Sequence, residues 1–192
     1  MILKPTSVGR FTFSPVRGQT LDVDAAWRRA DSDEMSGWRS RYIGYVLQHG
    51  GLLPYLSVRR NIELPRMLLE LPLGSVAEDI AARLGIRQQL DKLPAALSVG
   101  QRQRAAIARA LAHEPPIVIA DEPTAAIDPL NAERITALLA QLADELDVTL
   151  IVASHAQELM RQAGFTLVSH EIDEAAEESM TVSVCSAEPL PA

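Results

Sequence analysis

From residue 101 onward the apolar and polar positions fall into a regular order. Ile135, Leu138, Leu139, Leu142 and Leu146 repeat at i, i+3, i+4, i+7 and i+11. That spacing marks the buried stripe of an amphipathic helix beginning after Asp128-Pro129. Two short, mostly apolar runs flank it, "IVIA" at 117–120 and "VTLIVAS" at 148–154, both expected as strands buried on both faces. A helix from Gln101 to about His113 precedes them and is stopped by Glu114-Pro115-Pro116. Strand, helix, strand in sequence is a βαβ unit, so the pattern predicts a parallel sheet and an α/β fold.

Upstream, "RYIGYVLQ" (41–48) reads as a third strand ending at Gln48, followed by a Gly-Gly-Leu-Leu-Pro loop. Residues 57–92 read as helices broken by Pro65 and by Pro72–Gly74, with Ser75 as the N-cap of "VAEDIAARLGI". Residues 25–40 are polar, a surface helix or loop. The first 24, with Phe11, Phe13 and Val16 between Gly9 and Gly18, predict short strands and turns.

At 192 residues the chain is long enough for one domain with a real core. A net charge of −7 argues against a general nucleic-acid binder, whose footprint is basic. Much of the acid lies in residues 171–192, where no Lys or Arg follows Arg161, so a solvated tail is expected there. Cys185 is the sole cysteine, which suits a reducing compartment. No apolar run reaches the roughly 18 residues of a membrane span, so any membrane link passes through a partner.

Asp121 and Glu122 lie directly past "IVIA", where ligands of a parallel sheet collect. One carboxylate there can hold Mg²⁺ while the other polarises a water; alternatively the pair caps the next turn. His155 ends the neighbouring strand and faces the same crevice, able to hydrogen-bond a phosphate. Gln48 ends the third strand and can offer an amide oxygen to a metal. In "LSVGQRQR" (97–104) a Ser-x-Gly turn opens a helix, and a helix start presents free N–H groups to an anion.

In this order the sequence resembles the nucleotide-binding domain of ABC transporter ATPases, a P-loop NTPase-like fold. Gln48 matches the Q-loop, "LSVGQ" (97–101) the signature motif, "IVIADEP" (117–123) Walker B, "AAID" (125–128) the D-loop and "ASH" (153–155) the H-loop. Residues 43–65 look most like transporters of the lipoprotein-releasing and macrolide-exporter type. The resemblance implies a single domain, with a core of 1–55 and 97–192 and a helical subdomain of 56–96. It also implies ATP and Mg²⁺ as cofactors, a second nucleotide-binding domain paired head to tail, a transmembrane permease and a place at the cytoplasmic face of the membrane. No nucleic acid is expected as a partner. In this scheme Glu122 is the general base and His155 contacts the γ-phosphate. Asp121 and Gln48 support the metal. Ser98, Val99, Gly100 and Gln101 face the nucleotide of the opposite subunit, and Asp128 couples the two sites. Arg102 and Arg104 match residues usual in the signature helix and need no nucleic-acid role.

The departure is the phosphate cradle. No G-x-x-x-x-G-K-[ST] occurs, and the only lysines, Lys4 and Lys92, follow Leu3 and Asp91. "LKPTSVGRFTF" (3–13) resembles the family's segment just after Walker A, so the family's first strands and P-loop would fall before Met1, lost to truncation or a misassigned start. The sheet is then expected to lack its P-loop strand, leaving the edge of the His155 strand exposed. Such a chain is not expected to hydrolyse ATP unaided. An alternative is a non-hydrolysing partner that lends its signature in trans. A DNA-associated ABC ATPase is disfavoured, since the 48 residues between Gln48 and Leu97 are too few for long coiled-coil arms.

Overall fold

The computed structural model describes residues 12–29, 31–173 and 182–187. It opens on an antiparallel hairpin of β1 (Thr12–Val16) and β2 (Gln19–Asp22). Gly18 turns it at φ 82°, a conformation that a Cβ disfavours. Asp22 and Asp31 then cap α1 (Val23–Arg28) and α2 (Ser32–Tyr42), accepting the N–H groups of Ala25 and Glu34 at 2.9 Å. Most of the segment "LKPTSVGRFTF" lies outside the described residues.

The strand expected at 41–48 is shorter. Arg41 and Tyr42 complete the last turn of α2, where basic side chains suit the helix dipole, and β3 spans Ile43–Val46. Helix α3 (Val58–Leu68) is capped by Ser57 and runs through Pro65 instead of breaking there. The proline removes the bond that its own N–H would make to Asn61, but later turns re-form, with Leu69 N–H on the Pro65 carbonyl at 3.1 Å. The helix stops where Glu70 enters the left-handed region at φ 55°. Ser75 does not cap α4 (Val76–Arg83) with its side chain, because its hydroxyl donates to Asp79 Oδ2 at 2.6 Å instead.

Helix α5 (Val99–Leu111) leads into β4 (Ile117–Asp121), α6 (Pro129–Glu145) and β5 (Thr149–Ala153). β3, β4 and β5 form a parallel sheet with β4 central, Tyr45, Ile119 and Ile151 lying in one row. A short α7 (Gln157–Gln162) follows. Within the stretch expected as an acidic tail, β6 (Val168–Asp173) and β7 (Val182–Ala187) pair antiparallel.

The strands are covered on one face rather than both. Val46, Val118 and Ala120 are buried, and they join Ile62, Leu84, Ile107 and Ile135 in one continuous core. This core spans the helical segment 56–96 and the α/β part alike. On the other face the Tyr45–Ile119–Ile151 row is only partly covered, with Ile151 52% exposed. β5 is an edge strand among the described residues. An open cleft of about 450 Å³ follows it from Leu150 to Ser154.

Candidate functional site

The start of α5 is built by a capping box. Ser98 Oγ accepts the Gln101 N–H at 3.2 Å, and Gln101 Oε1 accepts the Ser98 N–H at 3.0 Å. Both side chains are therefore engaged with each other's backbone. The N–H groups of Val99 and Gly100 remain, since the first turn of a helix has no internal acceptors for them. A Cβ on Gly100 would meet nothing within 4 Å, so the side of the helix start at Gly100 is uncovered. Arg102 and Arg104 do not reach outward: their Nη1 atoms donate to the Leu97 carbonyl at 2.5 Å and the Leu84 carbonyl at 3.1 Å.

At the carboxyl end of the sheet, Glu122 sits in the left-handed region at φ 44°. Its N–H donates to the Ala153 carbonyl at 2.8 Å, which holds this unfavourable conformation in register with β5. Its Oε1 accepts the His155 N–H at 2.9 Å, and His155 Nε2 lies 3.6 Å from the same oxygen. The Ser154 hydroxyl is 3.5 Å from Oε2, a contact at the limit of a hydrogen bond. The Glu122 side chain is 19% exposed, whereas the His155 ring is wholly exposed.

Gln48, Glu122 and His155 converge on one cavity of about 620 Å³. Thr124, Glu133 and Gln162 line it too and were missed by sequence reasoning. A signal existed for one of them, because Pro129, Ala132 and Glu133 share a face at i, i+3 and i+4 of α6. Asp121 does not line this cavity. Strand alternation places it with Ile117 and Ile119 on the open face of the sheet. Among the described residues no group of three or more His, Cys, Asp or Glu is placed to hold a metal ion.

Asp128 caps α6. Its Oδ1 accepts the Asn131 N–H at 3.1 Å and its Oδ2 accepts the Asn131 side-chain amide at 2.8 Å. The Asn131 side chain, then its backbone, hold the Asp128 carboxyl below its ordinary range. Facing α5, Gln48 and His49 border a second cavity of about 270 Å³ shared with Val99, Arg102 and Gln103.

The residues present fit one half of a nucleotide site. Two amides at a helix start suit a phosphate oxygen. For the other half, Gln48, Glu122 and His155 share a cavity, while the Gly-Lys loop of a phosphate cradle does not occur in the sequence.

Parallel strands joined by helices, with a capped helix start at Ser98 and a Gln, a Glu and a His past the strand ends, are the arrangement of an ATP-binding cassette. Residues 12–125 match the ABC transporter family. The lipoprotein-releasing system ATP-binding protein LolD of Idiomarina loihiensis is 36% identical over 151 residues, covering 77% of this chain and 66% of the relative. The bacitracin export ATP-binding protein BceA of Halalkalibacterium halodurans is 38% identical over 130 residues, 66% of this chain and 51% of the relative. A dimeric post-hydrolysis structure of the ATP-binding cassette MJ0796, bound to ADP and Pi, superposes with a TM-score of 0.62. Its identity is 35%, over 72% of this chain and 62% of that one. The chain belongs to the ABC transporter family of ATP-binding domains. It spans about half to two thirds of the length of these relatives.

Proposed function

We propose that this chain is an ATP-binding subunit of a membrane transporter, and that its own contribution is the start of α5, offered to a γ-phosphate held on a second cassette. The observation that carries this reading is the pair of amides at Val99 and Gly100, which the Ser98–Gln101 capping box leaves without an intrahelical acceptor. Ser98 and Gln101 hold that turn in shape; Val99 and Gly100 donate. The helix dipole adds to the attraction for an anion.

Bound nucleotide supplies the scissile phosphoanhydride and Mg²⁺ screens its charge. Glu122 keeps a carboxylate at the cavity mouth, with Oε1 held by the His155 N–H and Oε2 facing Ser154. In this reading Glu122 is the proton acceptor, His155 the phosphate contact, and Gln48 reports the occupancy of the cavity. Asp128 positions α6 at the dimer seam. These groups lack a phosphate cradle, so the chain by itself turns over no ATP. In this reading a transmembrane permease completes the transporter, with this chain at its cytoplasmic face, and the acidic balance disfavours nucleic acid as a partner.

The test is complementation. A complete homologous cassette whose own signature serine is replaced by arginine supplies a phosphate cradle without a signature. Mixed with this chain it should release phosphate from ATP, and Ser98→Arg in this chain should abolish that release. A mixture that stays silent sinks the reading.

A further inference from the structure

One cationic side chain joins the two parts of the site. Arg109 lies on the third turn of α5, and its guanidinium is partly withdrawn from water, which lowers its pKa from the usual range. Its Nη1 donates to the Gly51 carbonyl at 2.7 Å and its Nη2 to the Gly50 carbonyl at 2.9 Å. Those two carbonyls converge because both glycines are left-handed, Gly50 at φ 73° and Gly51 at φ 56°. The turn they make follows directly on Gln48. It also lies flat on the helix, since a Cβ on Gly50 would fall 3.5 Å from Ala106 Cβ and 3.7 Å from the Arg102 carbonyl.

Nearer the helix start the contact is looser. The cavity of about 270 Å³ separates Gln48 and His49 from Val99 and Arg102. Gln103 is buried beside it, with its Nε2 lacking a partner. The spacing between Gln48 and the first turn of α5 is therefore set lower down, where the guanidinium grips the glycine turn.

We infer that Arg109 is a positioning residue: it binds the Gly50–Gly51 turn, and with it Gln48, to the same rigid body as the Val99–Gly100 amides. A shift of Gln48 is then carried to the start of α5, and the reverse. This rests on the proposed use of α5 as a phosphate-facing helix start.

The test uses the full chain and three variants. Arg109→Met removes both donors, Arg109→Lys keeps the charge without the fork, and Gly51→Ala strains the turn itself while meeting Arg109 Nη2 only at an ordinary contact distance of 3.5 Å. In Gly51→Ala the added Cβ would lie 2.6 Å from Leu47 Cδ1. Amide hydrogen exchange over residues 48–53 should accelerate about tenfold or more in Arg109→Met and Gly51→Ala, with β4 and α6 unchanged, and less in Arg109→Lys. In the complementation mixture, the same two variants should lower kcat with KM for ATP unchanged, because the nucleotide cradle belongs to the other cassette. Unchanged exchange over 48–53 overturns the inference, and so does a freed turn with full kcat. If the unmutated chain gives no turnover in the mixture, the proposed function has failed. The exchange data then decide alone whether Arg109 holds the turn.

Discussion

Glu122 and His155 are joined through the backbone of one and the carboxylate of the other: the His155 N–H donates to Glu122 Oε1 at 2.9 Å. The link ties the end of β4 to the end of β5, one residue beyond Asp121 and two beyond Ala153, their last paired positions. It keeps the cavity mouth in one shape, with the exposed imidazole beside the same carboxylate oxygen.

Removing that acceptor should be felt in stability. Glu122→Ala removes the acceptor of a solvent-exposed donor and is expected to cost about 0.5–1.5 kcal/mol, whereas Glu122→Gln retains an oxygen for His155 and costs less. Urea unfolding of the two variants measures the difference. Equal losses would show that the bond contributes little.

At Gly100 stability and function should move in opposite directions. The position is helical and has open space around it, so Gly100→Ala should stabilise the chain by up to about 1 kcal/mol. The added methyl group crowds the approach to the amides, and phosphate release in the complementation mixture should fall. Denaturation and turnover are read on the same preparation.

His113 makes the fold sensitive to acid. It is 8% exposed, and neither ring nitrogen has a hydrogen-bond partner. Burial holds its pKa below the ordinary 6.5, outweighing an upward push from the Ile43 backbone, and the nearby Arg66 charge adds a little to the lowering. The unfolded chain therefore takes up a proton first. Stability is full above about pH 6.5, falls as pH drops through that value, and levels off once the folded state also protonates. Unfolding free energies between pH 7.5 and 5 should show this slope, and His113→Leu should flatten it.

The β5 edge should make the isolated chain associate. Its five residues carry no charge and no proline, and Ile151 is 52% exposed. Ile151→Lys should reduce concentration-dependent association in sedimentation while leaving the unfolding midpoint nearly unchanged. An unaltered sedimentation profile would mean that another surface drives association.

Local chemistry was legible in the sequence wherever a short-range rule governs it. Ser98 and Gln101 stand at capping-box spacing, Asp128-Pro129 opens α6, and Gln48 and His155 follow apolar runs. Packing across the chain was not legible. Pro65 stays inside α3, and that depends on the core beneath the helix, not on the proline's own preference. Asp121 and Glu122 read as one pair, but alternation along β4 and the left-handed turn at Glu122 aim them at different spaces. Arg109 reaches a glycine turn 58 residues earlier in the chain, a contact that no periodicity announces.

The capping box has one more consequence. Since its two side chains serve each other, what the helix start shows the outside is main chain, and main chain is written the same way under nearly every side chain. Exchanging the side chain at position 99 would leave its donor untouched. Proline is the exception, because it fits the first position of a helix and has no N–H to give. Val99→Pro would keep the helix and silence one of its two voices.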